Sequence, residues 1–195
     1  MHAALLVVDV QRDFCPGGAL PVKDGDEVVP GINRVVRAFK HAGLPIFFTR
    51  DWHPPEHISF KSQGGPWPPH CVEGTAGAGF HPALRIPLGA IVISKGDSPS
   101  AEAYSGFQGT DLEVRLKRLG VDEVFVCGLA TDYCVRASVI DARRAGFAVE
   151  VIRDCIGAVN AKPGDDAKAI SDMRKACAKM TTVSAVIKML AGTQQ

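Results

Sequence analysis

The stretch GVDEVFVCGLATDYCVRASVIDARRAGFAVEVI, residues 120–152, decides the fold. Glu123–Cys127 is a short apolar run of Val and Phe and reads as a strand. Thr131–Ala145 reads as a helix, with Thr131 or Asp132 placed to cap its start. Phe147–Ile152 is a second strand. Neither strand alternates apolar with polar residues, so both faces of each are expected to be covered. A strand, a helix and a strand in so short a span predict a parallel pair.

The same alternation extends outward in both directions. Ala4–Val8, Pro45–Thr49 and Ala90–Ser94 read as earlier strands, and Met180–Val183 as a sixth. Val28–Ala42 carries apolar residues at helical spacing, with Gly43 as its stop. Asp111–Leu119 reads as a helix ended by Gly120, Asp165–Lys175 is helical, and a final helix follows the sixth strand. The class is α/β, a parallel sheet with helices on both faces. At 195 residues the chain is expected to form one domain, 1–195. Two segments break the rhythm, 12–26 and 51–89, the second rich in Gly, Pro and His. Long irregular segments inside a compact α/β domain are usually functional.

Composition narrows the classes of function. The chain has 22 Lys+Arg against 21 Asp+Glu, a formal net charge of +1, and no block of like charge. That balance excludes an electrostatic case for nucleic acid or an anionic membrane and suits a small neutral or weakly charged ligand. No run of apolar residues is long enough to span a bilayer. The opening MHAALLVVDVQRDF lacks the basic region and cleavage site of a secretory signal, so a cytoplasmic location is expected. Cysteines stand at 15, 71, 127, 134, 155 and 177, widely spaced and without a CxxC pair, which favours reduced thiols.

In open parallel sheets the ligand site lies beyond the carboxyl ends of the strands. Asp9 closes the first strand and Asp51 follows the second, with His53 two residues on. Lys95 follows the third, and Cys134 lies after the fourth at a helix start. Each alone has a plainer reading: a loop or cap aspartate, a solvated lysine, an inert thiol. Their coincidence on one edge points to chemistry. A helix start and a cation favour a thiolate at Cys134, Asp9 could accept its proton, and free backbone N–H groups at that turn could hold an oxyanion. Cys127, inside an apolar run, reads as core. Asp51-x-His53, with His57, His70 and His81 in the same loop, offers carboxylate and imidazole ligands for Zn²⁺, Fe²⁺ or Mn²⁺. His2 and His41 read as surface residues.

Several segments resemble one family: LLVVDVQRDFCPGGAL, TRDWHPPEHISF, GGPWPPHCVEGTAGAGFHP, ISKG, AYSGFQGTDL and VCGLATDYCVRASVIDARRAGF. Over nearly the whole chain, and in order, these are similar to the nicotinamidases (pyrazinamidases) of the isochorismatase-like cysteine hydrolases. GLATDYCVRASVIDA marks the superfamily; the D-x-H, WPPHC and AYSGF narrow it. The resemblance implies a six-stranded parallel sheet, doubly wound in the order 3-2-1-4-5-6. It implies Asp9, Lys95 and Cys134 as the catalytic triad and Asp51, His53 and His70 as metal ligands, with zinc first and iron or manganese as alternatives. Phe14, Trp67, Tyr104 and Tyr133 become walls of a substrate pocket. The N–H groups of Ala130 and Cys134 become an oxyanion hole, and Leu129–Ala130 a candidate cis peptide. Some members use a further loop His as a fourth protein ligand; His57 is left out of the ligand set here.

The activity so implied is metal-dependent hydrolysis of nicotinamide to nicotinic acid and ammonia, through a cysteine thioester, in NAD salvage. The partner expected is a small-molecule amide, with room for a homo-oligomer. Two alternatives stand beside it. A carbamoyl- or ureido-amide hydrolase would share the triad and differ in the metal loop. A non-catalytic metal-binding protein on this fold would not need the Asp, Lys and Cys set.

Overall fold

Every residue of Ala3–Val8 (β1) is buried, and its side chains alternate between two cores. Ala3, Leu5 and Val7 enter one; Ala4, Leu6 and Val8 enter the other. A strand apolar on both faces belongs in the middle of a sheet covered on both sides. That is where it lies in the computed structural model, which describes residues 2–192. The other strands are Ile46–Asp51 (β2), Ile91–Lys95 (β3), Glu123–Leu129 (β4), Ala148–Gly157 (β5) and Lys179–Thr181 (β6). They pair in the order β3-β2-β1-β4-β5-β6, and every pairing is parallel. This is the doubly wound order that the resemblance implies.

Val28–His41 (α1) and Val183–Gly192 (α5) cover one face. Buried residues of α1 fall at 28, 29, 32, 35, 36 and 39, the spacing of a single helical stripe. Phe39 meets Phe125 of β4 edge-on at 5.5 Å between ring centres. The opposite face is covered by Leu112–Arg118 (α2), Arg136–Arg144 (α3) and Asp165–Lys175 (α4), through Leu112, Leu116, Val139, Ala142 and Met173. The chain leaves α1 at Gly43, where φ is +68°. There the N–H of Gly43 donates to the Lys40 carbonyl and that of Leu44 to Phe39, the paired bonds of a Schellman stop.

The element boundaries differ from expectation at the functional edge. Asp51 and Lys95 are the last residues of β2 and β3 rather than residues beyond them. The ladder carries them because neither makes a turn; Asp51 and Lys95 are still in register with each other. The helix expected over 131–145 is two pieces, a π-helical turn Thr131–Val135 and then α3. β5 is longer than expected, with a pairing irregularity opposite Val126–Gly128, and β6 begins one residue earlier than the Met180 start.

Candidate active site

The carboxyl ends of β1, β2, β3 and β4 meet at one point. Asp9 turns out of β1 with φ +47°, a left-handed conformation uncommon for any residue but glycine. Beside it Gly128 of β4 has φ +115°, and a Cβ there would collide with the Val8 carbonyl. Glycine is thus what lets the two central strands close up where Asp9 leaves. Lys95 reaches across β2 to the same point, and Cys134 approaches from the turn after β4.

Asp9, Lys95 and Cys134 come together, all three buried. Lys95 Nζ lies 2.9 Å from Asp9 Oδ2 and 3.5 Å from Cys134 Sγ. It also bonds Asp51 Oδ1 and donates to the Ala103 carbonyl at 3.1 Å. A carboxylate oxygen of Asp9 lies within 4.8 Å of Cys134 Sγ. Burial alone would lower the Lys95 ammonium, but Asp51 and Asp9 hold it well above its ordinary range, so it is charged. Burial raises the Asp9 carboxyl, against the pull of Lys95. Burial also drives the Cys134 thiol well above the usual thiol range, with Lys95 offsetting only part. Desolvation thus outweighs what the cation offers, and Cys134 needs a base, the role the sequence suggests for Asp9.

The turn that carries Cys134 also departs from the capping expectation. Neither Thr131 nor Asp132 caps the helix. The buried Asp132 carboxylate accepts instead from the N–H groups of Val159 at 3.0 Å and Asn160 at 2.9 Å, tying the turn to the loop after β5. The Ala130 carbonyl takes the N–H groups of Tyr133 and Val135, and the Leu129–Ala130 peptide is cis. Cys127 is buried in the core.

Asp51, His53 and His70 each present one ligating atom, and these atoms lie within 4.8 Å of one another. The His53 Nδ1–H donates to the Gly96 carbonyl at 2.7 Å and the His70 Nδ1–H to the Pro68 carbonyl at 2.8 Å. Both Nε2 atoms are left as acceptors, the arrangement that orients imidazoles toward a metal. His53 Nε2 is 3.6 Å from Asp51 Oδ2, the oxygen that Lys95 does not take. Two imidazoles and a carboxylate with open positions fit Zn²⁺, Fe²⁺ or Mn²⁺. His57 stacks on His53 at 4.1 Å but spends both nitrogens, on Ser59 Oγ at 2.7 Å and the Ala101 carbonyl at 3.1 Å. His81 lies apart, its Nδ1 accepting from the Ala83 N–H.

A pocket opens between the two groups of residues. Phe14, Trp67, Tyr104 and Tyr133 line it, with Asp51, His70, Ala130 and Cys134. Trp67 Nε1–H donates to the Tyr104 hydroxyl at 3.0 Å, and Trp67 meets Tyr133 edge-on at 5.2 Å. Sequence reasoning missed Leu20, Val22 and Val159, which complete the apolar wall. It also missed Gln11 and Thr49. The Gln11 amide is fully buried and grips both backbone groups of Asp51, donating to its carbonyl and accepting its N–H, each at 2.8 Å. Thr49 bonds Asp9. The signal available for Thr49 was its hydroxyl, set in the otherwise apolar run PIFFT.

A doubly wound parallel sheet with a thiol, an ammonium and carboxylates massed at its carboxyl edge is the frame of a hydrolase, and the comparisons name the family. The Isochorismatase domain matches residues 3–185, and the chain belongs to that family. A nicotinamidase of Escherichia coli is 40% identical, over 93% of this chain and 95% of that relative. Among solved structures, a Pyrococcus horikoshii pyrazinamidase in complex with zinc superposes with a TM-score of 0.90 at 49% identity, over 93% of this chain and 99% of that one. The PnC1 protein of L. infantum in complex with nicotinate gives 0.86 at 37% identity, over 94% and 93%. The chain is an enzyme of this kind, an amidohydrolase. Among the described residues no helix is long and apolar enough to cross a membrane.

Proposed function

We propose that this enzyme hydrolyses nicotinamide to nicotinic acid and ammonia, as a step of pyridine-nucleotide salvage, with Cys134 as nucleophile. One observation carries the reading: a thiol, an ammonium and a buried carboxylate stand at one end of an aromatic-walled pocket, and three convergent metal-ligating groups stand beside it. The similarity to nicotinamidases supports the same substrate.

The steps follow from the charges at the site. Asp9 takes the Cys134 proton, and the thiolate attacks the carboxamide carbon. The N–H groups of Ala130 and Cys134 hold the oxyanion. Asp9 gives its proton to the departing nitrogen, the C–N bond breaks, and ammonia leaves a thioester. Water then yields a proton to Asp9 and attacks the thioester, and the thiol leaves reprotonated with nicotinic acid. Lys95 stays charged throughout and stabilises the thiolate and the Asp9 carboxylate. Phe14, Trp67, Tyr104 and Tyr133 pack the ring. Asp51, His53 and His70 would hold a divalent transition metal, zinc first, whose chemistry is an open coordination position for the ring nitrogen and hence a fixed aim for the amide.

The test is kcat/KM for ammonia release from nicotinamide and from benzamide, which shares the ring and amide but lacks the nitrogen. Sites built for a polar contact reject analogues lacking it by as much as ~10⁴–10⁵. At least about 10² is expected here, because the ring packing survives. Equal values for the two amides in metal-loaded enzyme would sink the ring-nitrogen contact. No turnover of nicotinamide would sink the function.

A further inference from the structure

Thr49 is the third-last residue of β2, fully buried, directly after a run of Ile and Phe. A buried hydroxyl must find a partner. This one finds it across the sheet: Thr49 Oγ1 donates to Asp9 Oδ1 at 2.7 Å. The backbone repeats the link, with the Asp9 N–H donating to the Thr49 carbonyl at 3.2 Å. Asp9 Oδ2 is treated differently. Its close polar neighbour is the Lys95 ammonium, at 2.9 Å. The two oxygens of one carboxylate are thus unequal. Oδ1 takes the Thr49 hydroxyl, and Oδ2, paired with the Lys95 ammonium, keeps its second lone pair for a proton.

We propose that Thr49 is a positioning residue for the base: its hydroxyl holds Asp9 Oδ1, so that Oδ2 is the oxygen that takes the proton from Cys134. The inference rests on Asp9 being the base, as in the proposed function. In the step, the Cys134 S–H bond breaks and an O–H bond forms at Oδ2, while the Thr49 hydroxyl keeps its own proton and donates to Oδ1 before and after. Without that donor the carboxylate is free to rotate, and its lone pair is no longer aimed. The methyl of Thr49 has a separate job, since it packs on Gly106. Hydroxyl and methyl can therefore be separated by substitution.

The experiment compares Thr49→Ser and Thr49→Ala, which lack the same methyl and differ only in the hydroxyl, with Thr49→Val as the near-isosteric control. Each is prepared as metal-loaded full-length enzyme and assayed for kcat and KM on nicotinamide, alongside Asp9→Asn. Deleting a hydrogen bond to a charged acceptor that acts in the transition state is expected to lower kcat about 10- to 100-fold in Thr49→Ala and Thr49→Val. KM should stay within about twofold, because Thr49 touches no substrate. Thr49→Ser should keep kcat within about threefold of wild type while melting at a lower temperature, from the lost methyl packing. A purely structural Thr49 would instead make Ser and Ala equally slow or equally fast. Either result, in an enzyme that Asp9→Asn inactivates, overturns the inference and leaves the proposed function standing. An Asp9→Asn enzyme of wild-type activity overturns the base assignment and this inference with it.

Discussion

At the scale of single residues, burial sets the protonation states before any substrate arrives. Cys134 is a thiol because desolvation exceeds what Lys95 offsets, so catalysis through it requires a base within reach. Asp9→Asn keeps the shape and removes the acceptor. It should lower kcat/KM for nicotinamide by about 10²–10⁴, the span of general acid–base catalysis. A variant with half of wild-type activity would take Asp9 out of the mechanism. The sign of the pH dependence follows as well. Asp9 must be ionised to accept a proton, and burial raises its carboxyl above the ordinary 3.8. Activity should therefore fall with falling pH along a limb of kcat/KM that lies above 3.8 and that Asp9→Asn abolishes. A wild-type limb at or below that value would point to another group. Asp9 and Lys95 were legible as charged residues at the ends of apolar runs, and Cys134 as a thiol at the helix start after one. Thr49 and Gln11 were not. Their partners, Asp9 and Asp51, lie 40 positions away in the chain; the Thr49 hydroxyl stands out in its apolar run, but nothing local tells which residue it bonds.

At the scale of elements, alternation and stop signals carried most of the reading. β1, β2 and β4 were visible as apolar runs, because a strand buried on both faces has no polar face to interrupt it. The start of the helix after β4 was not legible. A π-helical turn has the same residues as an α-helical one, and Asp132 serves the loop after β5 rather than the helix. Helix ends offer a cleaner rule and a test. α1 stops at Gly43 in a left-handed conformation, and α4 stops in the same way at Cys177, with φ +65° and N–H bonds from Cys177 to Arg174 and from Ala178 to Met173. A side chain at such a φ costs about 1–2 kcal/mol, partly offset by the chain entropy that glycine would add to the unfolded state. Gly43→Ala has no neighbour to clash with and should lower stability by about 1 kcal/mol. Cys177→Gly should raise it by about 0.5–1 kcal/mol. Urea unfolding midpoints check both signs, and equal midpoints for wild type and Cys177→Gly would show that the left-handed stop is unstrained.

At the scale of the whole molecule, the segment 51–89 is what periodicity could not place. Its histidines pointed to a metal, but the ligand set rested on resemblance, because no spacing rule brings residue 70 back to residue 51. The structure returns it through the backbone. The His53 N–H donates to the Cys71 carbonyl, the Glu73 N–H donates to the His53 carbonyl, and Asp13 Oδ2 accepts the Cys71 N–H at 2.7 Å. His70 is thereby stitched to the end of β2 and to the first loop, so an ion bound at Asp51, His53 and His70 would clasp two distant parts of the chain and reinforce the tie to a third. Such an ion binds the folded state far better than the unfolded one and should raise stability by RT ln(1 + [metal]/Kd). That is about 4 kcal/mol at a free concentration a thousand times Kd. For a chain of this size it corresponds to a rise of about 8–16 °C in Tm. Zinc should produce that rise in wild type, a chelator should reverse it, and His53→Ala should lose most of it because one of two imidazoles is gone. The melting curve reads binding without reference to turnover, so it separates the metal site from the chemistry at Cys134. An equal rise in His53→Ala would place the ion elsewhere in the molecule, even if that variant were inactive toward nicotinamide.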